Sequence, residues 1–194
     1  MLSKLIISGI LGCTLLLAGC KTNESGGNFT VSGNIKNAEN QKLLLQEIPY
    51  GGKAIITLDS ITIDKEGNYE FKFIARQEGI YRLATEKEFE IIFINDDDNI
   101  KISADAANYS SYSVKGSNST SSLFEFLKQY RQKDSSLFAT LYNLDALQKQ
   151  NGKDSTIFWL QKQKVEKIKN LNDFVETSIT SATSPAFIYY TLGL

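Results

Sequence analysis

Apolar and polar residues alternate along the first half of the chain, beginning with Phe29, Val31, Gly33 and Ile35. Such a period of two is typical of a half-buried β-strand. About eight short apolar runs, with turn residues every 8–12 positions, predict an antiparallel β-sandwich or a barrel-like domain over residues 29–117. The runs lie at 29–35, 43–48, 54–63, 69–73, 80–84, 89–94, 100–102 and 112–114. The run at 89–94 is apolar except for Glu90, which predicts a strand covered on both faces.

The pattern changes to a helical period after residue 116, and Ser117 or Asn118 is a suitable N-cap. A first helix is predicted by apolar residues at a/d spacing, interrupted by Asp134, namely Leu123, Leu127, Tyr130, Leu137, Leu141 and Leu144. Residues 118–194 are therefore predicted to be helical, so that the fold class is mainly β followed by α.

A second helix is predicted after the turn at residues 151–153, with Asp154 or Ser155 as its N-cap. Its apolar face consists of Val165, Ile168, Leu171, Val175 and Ile179. The short turn favours a helical hairpin that packs within the chain, and a coiled-coil interaction arm is the alternative. Ser184 and Pro185 begin a third helix, and we expect the helical segment to be truncated soon after it.

The N-terminal segment has the order of a secretory signal. Lys4 precedes an apolar stretch at residues 5–17, and Ala18 and Gly19 precede Cys20. The stretch is shorter than the roughly 18 apolar residues that a membrane-spanning helix needs. Residues 1–19 resemble a bacterial lipoprotein signal peptide, and an ordinary secretory signal is the alternative. Cys20 would then carry the lipid, and residues 20–28 would form a flexible tether.

This resemblance implies a lipid-anchored protein of the bacterial cell envelope, whose membrane partner is reached through Cys20. We expect it on the outer membrane facing the periplasm, with the cell surface as the alternative. The formal net charge of −1 gives no basic footprint for nucleic acid.

Cysteine and histidine usage excludes several kinds of chemistry. The chain has no histidine, and its two cysteines are Cys13 in the signal and the lipid-bearing Cys20. The folded part therefore has neither a nucleophile–histidine pair nor a zinc site of the usual nitrogen and sulfur ligands. We expect no enzymatic activity and no cofactor for this chain.

Three kinds of candidate site remain. Ser60 and Ser155 lie in Asp-Ser/Thr patterns that resemble an O-glycosylation consensus of exported Bacteroidota proteins. A glycoside hydrolase would need two of the strand carboxylates Glu47, Asp59, Glu70 and Glu90 across a cleft. Sugar or partner stacking would use Tyr50, Tyr81, Tyr109 or Tyr112, for which a structural role in the core or rim is the favoured alternative.

Two acidic segments, 64–68 and 96–98, are predicted to be turns rather than cation sites. Asp and Asn stabilise turns by bonding the local backbone. The run of three aspartates lacks the spaced ligands and the distal glutamate of a calcium loop.

Several short motifs occur in the order of a known domain. The strand Phe-x-Val-x-Gly-x-Ile at 29–35 and the turn Asp-x-x-Gly-x-Tyr-x-Phe at 64–71 resemble a domain of unknown function found near the N-terminus of many Bacteroidota lipoproteins. Further similar segments lie at 58–60, 80–83, 93–102 and 114–117. In that family the helices lead into a thioredoxin-like domain with a Cys-x-x-Cys pair, of thiol–disulfide oxidoreductase or peroxiredoxin-like type.

This chain contains no Cys-x-x-Cys, so the redox activity is not implied for its residues. The resemblance implies the fold, the envelope location and a non-catalytic accessory role in spacing, docking or dimerisation, with a protein partner or a second copy. The alternatives are a stand-alone glycan- or peptide-binding lipoprotein and a two-carboxylate hydrolase.

Overall fold

The computed structural model describes residues 27–87, 89–108, 112–150 and 153–194. Within these residues eight strands precede three helices, which confirms the predicted order of mainly β followed by α. The strands are β1 (Gly27–Lys36), β2 (Lys42–Glu47), β3 (Ile56–Thr62), β4 (Asn68–Ala75), β5 (Ile80–Thr85), β6 (Glu90–Ile94), β7 (Asn99–Asp105) and β8 (Tyr112–Lys115). The helices are α1 (Asn118–Lys149), α2 (Asp154–Ser181) and α3 (Pro185–Leu192).

The strands form two four-stranded sheets, in the orders β4-β1-β7-β8 and β3-β2-β5-β6. Both sheets are open, so that the sandwich alternative holds and the barrel alternative does not. One pair, β1 and β7, is parallel, whereas the other pairs are antiparallel. The parallel pair arises because the chain passes through the second sheet between β1 and β7, and parallel neighbours need such a long crossover.

A single apolar core fills the space between the sheets. Alternate residues of β1, among them Val31 and Ile35, contribute to it together with residues of both sheets. Phe29 packs across the sandwich, with its ring centroid 5.3 Å from Tyr81 and 6.5 Å from Phe93. Such aromatic pairs add roughly 0.5–1.5 kcal/mol each beyond the area that they bury.

The strand β6 is covered on both faces, as predicted. Ile91 and Phe93 face the core of the sandwich, whereas Ile94 belongs to a second apolar cluster that the helices share.

Two of the three predicted helix caps are confirmed. The Ser117 hydroxyl accepts a bond from Thr120 N at 2.9 Å, and Ser184 caps α3 with Pro185 at the first helical position. The predicted cap of α2 is wrong, since Lys153 occupies the N-cap without a side-chain bond. Asp154 lies within the first turn, where its negative charge complements the helix dipole.

The helices α1 and α2 pack against each other as an intramolecular hairpin, as favoured from the sequence. Phe126 stacks on Phe174 at 5.2 Å, and Lys167 Nζ donates to Thr140 Oγ1 at 2.8 Å. Of the predicted packing face of α2, Leu171, Val175 and Ile179 are half-buried, whereas Val165 and Ile168 are exposed. Near these two residues it is Lys167 that contacts α1 instead.

Cys20, the predicted signal at 1–19 and most of the predicted tether lie outside the described residues. Among the residues described, none of the helices combines the length and the apolar character needed to cross a bilayer.

Candidate functional site

The second apolar cluster joins the sandwich to the helices. It contains Ile80 and Ile94 from the sheet, Leu123 and Phe126 from α1, and Phe187 from α3, all at most 4% exposed. Closely packed side chains hold neighbouring elements in fixed relative positions, because protein interiors are as dense as organic crystals. This junction therefore fixes the direction in which the hairpin leaves the sandwich.

Hydroxyl groups of α1 and of its N-cap residue bond to the end of the edge strand β6. Ile94 N donates to Thr120 Oγ1 at 2.9 Å, and Thr120 Oγ1 donates to Ile94 O at 3.1 Å. Ser117 Oγ also donates to Ile94 O, at 3.3 Å. An edge strand otherwise leaves backbone groups without a partner. The first turn of α1 thus takes the place of a neighbouring strand at this point.

Carboxylates from the sandwich cap two of the helices. Asp96 Oδ2 accepts a bond from Ser119 N in α1 at 2.8 Å. Glu78 Oε1 accepts bonds from Ser184 Oγ and, at 3.1 Å, from Ala186 N in α3. A negative group at a helix N-terminus is stabilising because the helix dipole is positive there. Since acids of the chain already occupy both helix ends, neither end is open to an external anion.

An open groove lies between these two helix ends, and we call it the junction groove. It encloses about 1130 Å³. Its walls carry acidic and aromatic side chains, chiefly Tyr50, Glu78, Asp96, Asp97, Asp98 and Tyr189. None of the described residues that line it is basic. The groove therefore favours cationic or hydrogen-bond-donating groups over anions.

The two tyrosines of the junction groove pack together. The rings of Tyr50 and Tyr189 lie 5.0 Å apart, and Tyr50 Oη donates to Glu78 O at 3.4 Å. Burial, with Glu78 nearby, raises the pKa of Tyr50, so that its phenol is a hydrogen-bond donor at neutral pH rather than a base. Tyr189 is 61% exposed, and its ring is accessible to a ligand.

One acceptor of the junction groove is unused. Asp96 Oδ1 is buried and has no hydrogen-bond partner in the described part of the chain. In the same part, no group of three or more His, Cys, Asp or Glu side chains is arranged to hold a metal ion.

The candidate modification sites lie away from the junction groove. Ser60 is exposed on β3, where its backbone N donates to Asp59 Oδ1 at 2.7 Å. Ser155 is exposed in the first turn of α2. Both hydroxyl-bearing residues are accessible to a modifying enzyme.

The four strand carboxylates are not gathered in one cleft. Glu70 lies on β4 in the first sheet, whereas Asp59 and Glu90 lie on opposite edge strands of the second. Glu90 pairs with Arg82 at 3.0 Å, and Glu70 pairs with Lys72 at 2.9 Å. The remaining acid, Glu47, ends β2. The four acids are therefore spread over both sheets.

Both acidic segments are turns, as predicted. Asp64 accepts bonds from the backbone of Glu66 and Asn68, and Asp97 accepts one from Asn99 N at 3.0 Å. Asp96 and Glu78 could not be singled out as helix caps from local patterns, because Asp96 meets Ser119 across 23 positions and Glu78 meets Ser184 across 106.

Of the aromatic candidates that the structure describes, only Tyr50 reaches the junction groove. Tyr81 is buried in the sandwich core, which raises the pKa of its phenol to about 12. Tyr112 packs on Phe124 with a ring distance of 4.3 Å. Tyr109 lies outside the described residues. The favoured structural role is thus confirmed for Tyr81.

Comparison with known proteins finds a family that the β-domain is similar to. Residues 29–123 match the family model "Domain of unknown function (DUF4369)". The match confirms the resemblance to a domain of unknown function, and it extends through Ser117, Thr120 and Leu123 at the junction. The family description assigns no activity.

No curated protein matches the sequence. A solved structure, "Crystal structure of (S)-allantoin synthase", is similar at 8% identity with a TM-score of 0.33. The likeness covers 49% of this chain and 46% of that one, so the chain spans less than half of that protein's length. Such a low TM-score supports no argument about fold or function.

Proposed function

We propose that this protein is a lipid-anchored, non-catalytic accessory module of the bacterial envelope, which holds a partner at a fixed distance from the membrane. The observation that carries the proposal is the hairpin that leaves the sandwich through a packed and hydrogen-bonded junction. The 32 residues of α1 make a helix about 48 Å long. A long helical pair on a firm base is suited to spacing and docking rather than to chemistry.

The anchor is supported by the segment that ends at Cys20. A lipid-bearing cysteine followed by a polar tether would leave the sandwich free to move close to the membrane surface. We place the anchor on the outer membrane facing the periplasm. The thioredoxin-like context of similar lipoproteins supports an accessory role beside a redox domain.

Metabolic labelling with a palmitate analogue tests the anchor. The wild-type protein should take up the label and sediment with membranes, whereas Cys20→Ser should lose both properties. Cys13→Ser is the matched control, since Cys13 lies within the predicted signal and should leave labelling unchanged. Label on the Cys20→Ser protein would overturn the anchor.

The accessory role is tested by its partner. A photoreactive residue at Tyr142 on the hairpin should yield cross-linked protein in intact cells, whereas one at Ser60 on β3 should yield much less. Equal cross-linking from both positions, or none from Tyr142, would contradict docking through the hairpin.

A stand-alone binding lipoprotein is the second candidate, and the exposed Tyr189 ring beside Asp97 and Asp98 favours it. Sugars and peptides stack on such rings and donate hydrogen bonds to carboxylates. A glycan array and a peptide library should then give ligands whose binding Tyr189→Ala abolishes. Tyr142→Ala removes an equally exposed tyrosine from the hairpin and should leave that binding intact. Blank arrays would remove this candidate.

A further inference from the structure

Six apolar side chains lie uncovered on the half of the hairpin that is farther from the sandwich. Phe138, Tyr142, Phe158 and Val165 are each 67–70% exposed. The other two, Leu141 and Ile168, are less exposed. Single exposed apolar residues are common, but a contiguous apolar face marks an interaction site. Whether the six form one face depends on how the two helices are turned.

Both helices turn these residues to the same side of the hairpin. Leu141 directly follows the contact residue Thr140 of α1, and Ile168 directly follows the contact residue Lys167 of α2. Each step along a helix rotates the side chain by about 100°. The two helices are antiparallel, so this rotation has opposite senses in them when both are viewed along one axis. Leu141 and Ile168, which follow the two contact residues, therefore lie on the same side of the hairpin.

The remaining four residues lie on the same stripes. Phe138 lies three positions before Leu141, and Tyr142 lies four positions after Phe138. On the other helix, Val165 lies three positions before Ile168. Phe158 lies seven positions before Val165. Residues three, four or seven positions apart share one face of a helix. We call the set of six the distal apolar face.

The packing near the sandwich confirms this geometry. Leu127 and Val175 directly follow Phe126 and Phe174, which stack between the helices. Both pack against the cluster that contains Phe187 of α3. This cluster, which the sheet and α3 share, therefore covers the near part of this side, and the distal apolar face continues the same side beyond it.

The opposite side of the hairpin is polar. Residues that directly precede contact positions include Gln132, Asn143, Glu166 and Asn170, all of which are exposed. Trp159, which is 55% exposed, is the large apolar exception on this side. A strong apolar bias towards one side indicates an interface rather than a chance composition.

We propose that the distal apolar face binds the same face of a second copy of this chain, forming a four-helix bundle. This inference deepens the accessory role proposed above by naming its partner. Given 150–250 Å² for each aromatic side chain, the six residues present roughly 600 Å² per copy. A symmetric pair would bury roughly 1,200 Å², which is the lower limit of specific, stable interfaces.

The charges around the distal apolar face also fit a second copy. Asp134 and Arg131 lie along α1 and Lys162 lies along α2, whereas Asp145 and Lys169 already pair within their own helices with Lys149 and Asp173. Such mixed signs give no basic excess for an anionic membrane. A two-fold arrangement that lays α1 over the partner's α2 brings helices of mixed charge together. The helices then alternate in direction, as in an up-down bundle.

Cysteine cross-linking in the full chain tests the proposal. Phe138→Cys and Val165→Cys, treated with a short bismaleimide in envelope membranes, should give a product of twice the mass of the protein. Trp159→Cys is the matched control on the polar side and should give none. A cross-linked product of a different mass would overturn the second copy as the occupant, and equal yields from all three positions would overturn the face.

Co-purification of two differently tagged copies in detergent gives a second measurement. The double variant Phe138→Asp/Val165→Asp should reduce co-purification at least tenfold, whereas Trp159→Asp should leave it unchanged. Helical circular dichroism and the thermal midpoint of each variant show that the hairpin still folds. Full co-purification by the folded double variant would overturn the proposal.

Failure of the dimer and failure of the anchor are distinguishable. In the Cys20→Ser protein, co-purification should persist after the palmitate label is lost. A labelled protein that does not pair overturns the dimer alone, whereas a pairing protein without label overturns the anchor alone.

Discussion

The turn between β3 and β4 depends on the carboxylate of one residue. Asp64 Oδ1 accepts bonds from Asn68 N at 2.7 Å and from Glu66 N at 2.9 Å. These bonds, the one from Asn68 N above all, lower the pKa of Asp64 below its usual value. A lowered pKa in the folded state means that the ionised carboxylate stabilises the fold above the unfolded-state pKa of about 3.9. This contribution is lost as the pH falls through the lowered folded-state pKa.

The unfolding free energy of Asp64→Ala should therefore lie below that of the wild type at neutral pH. The difference should stay constant down to about pH 4 and then narrow, because the protonated carboxyl accepts these bonds poorly. Asp64→Asn keeps an acceptor oxygen without a titratable proton and is the matched control. Denaturant unfolding at a series of pH values measures all three proteins. A difference that does not change with pH would contradict the role of the charge.

Gly116, between β8 and the cap of α1, has no room for a side chain. Its φ is +84°, and an added Cβ would lie 2.0 Å from Asn99 O. Gly52 has a similar φ of +71°, but an added Cβ there would meet nothing within 4 Å. Both alanine variants are destabilised by the left-handed backbone conformation. Only Gly116→Ala also forces the backbone at position 116 away from that at Asn99.

We expect Gly116→Ala to lose about 3 kcal/mol or more of unfolding free energy and Gly52→Ala to lose about 1 kcal/mol. Equilibrium unfolding in urea gives both values. Equal losses would show that the left-handed conformation alone, rather than the close approach to β7, makes glycine necessary at position 116.

The bond between α1 and β6 depends on the hydroxyl of Thr120, which is fully buried. Thr120→Val keeps the shape of the side chain but leaves Ile94 N without its acceptor. An unsatisfied buried donor costs about 1–3 kcal/mol, and we expect that loss of stability. Thr177→Val, at an exposed position of α2, should change the stability by less than about 0.5 kcal/mol. Hydrogen exchange at Ile94 should rise in Thr120→Val only, and unchanged protection there would contradict the bond.

Local patterns predicted most elements but not their pairing. The alternation at β1, the cap at Ser117 and the Ser184–Pro185 start of α3 are written in adjacent residues, so the sequence predicts them. The side that α2 turns towards α1 is not written in adjacent residues. Leu160, Leu171 and Phe174 form one apolar stripe of the helix, whereas Val165 and Ile168 belong to another. Periodicity alone does not choose between two overlapping stripes.

Contacts between residues far apart in the chain also cannot be predicted from the sequence. The parallel pairing of β1 with β7 joins residues about seventy positions apart, and Glu78 meets α3 across 106 positions. No local pattern encodes such a contact, because the helix and strand propensities of a segment depend only on residues close to it in the sequence. The junction groove, which is built from these contacts, was for that reason absent from the sequence-based candidates.

The family match ends at residue 123, past the first turn of α1, so it includes Ile94 and Leu123 of the junction but neither Phe126 nor Phe187. The sandwich and the near part of the helices share the cluster around Phe187 and Ile94. A shared buried cluster couples the stability of the two parts, since neither can open without exposing it. The hairpin should therefore behave as part of the folded domain and not as an appendage on a flexible hinge.

Phe187→Ala tests this coupling, because the ring is only 4% exposed and touches Phe126 at a centroid distance of 5.5 Å. Removing a buried phenylalanine costs about 3–5 kcal/mol. If the junction couples the two parts, hydrogen exchange should accelerate both in β5 and β6 and in the near halves of α1 and α2. Tyr189→Ala, on the exposed side of the same helix, should leave exchange in the strands unchanged. Faster exchange confined to α3 would show instead that α3 packs on the domain without stabilising the strands or the hairpin. That result would contradict a rigid hairpin and therefore its spacing role.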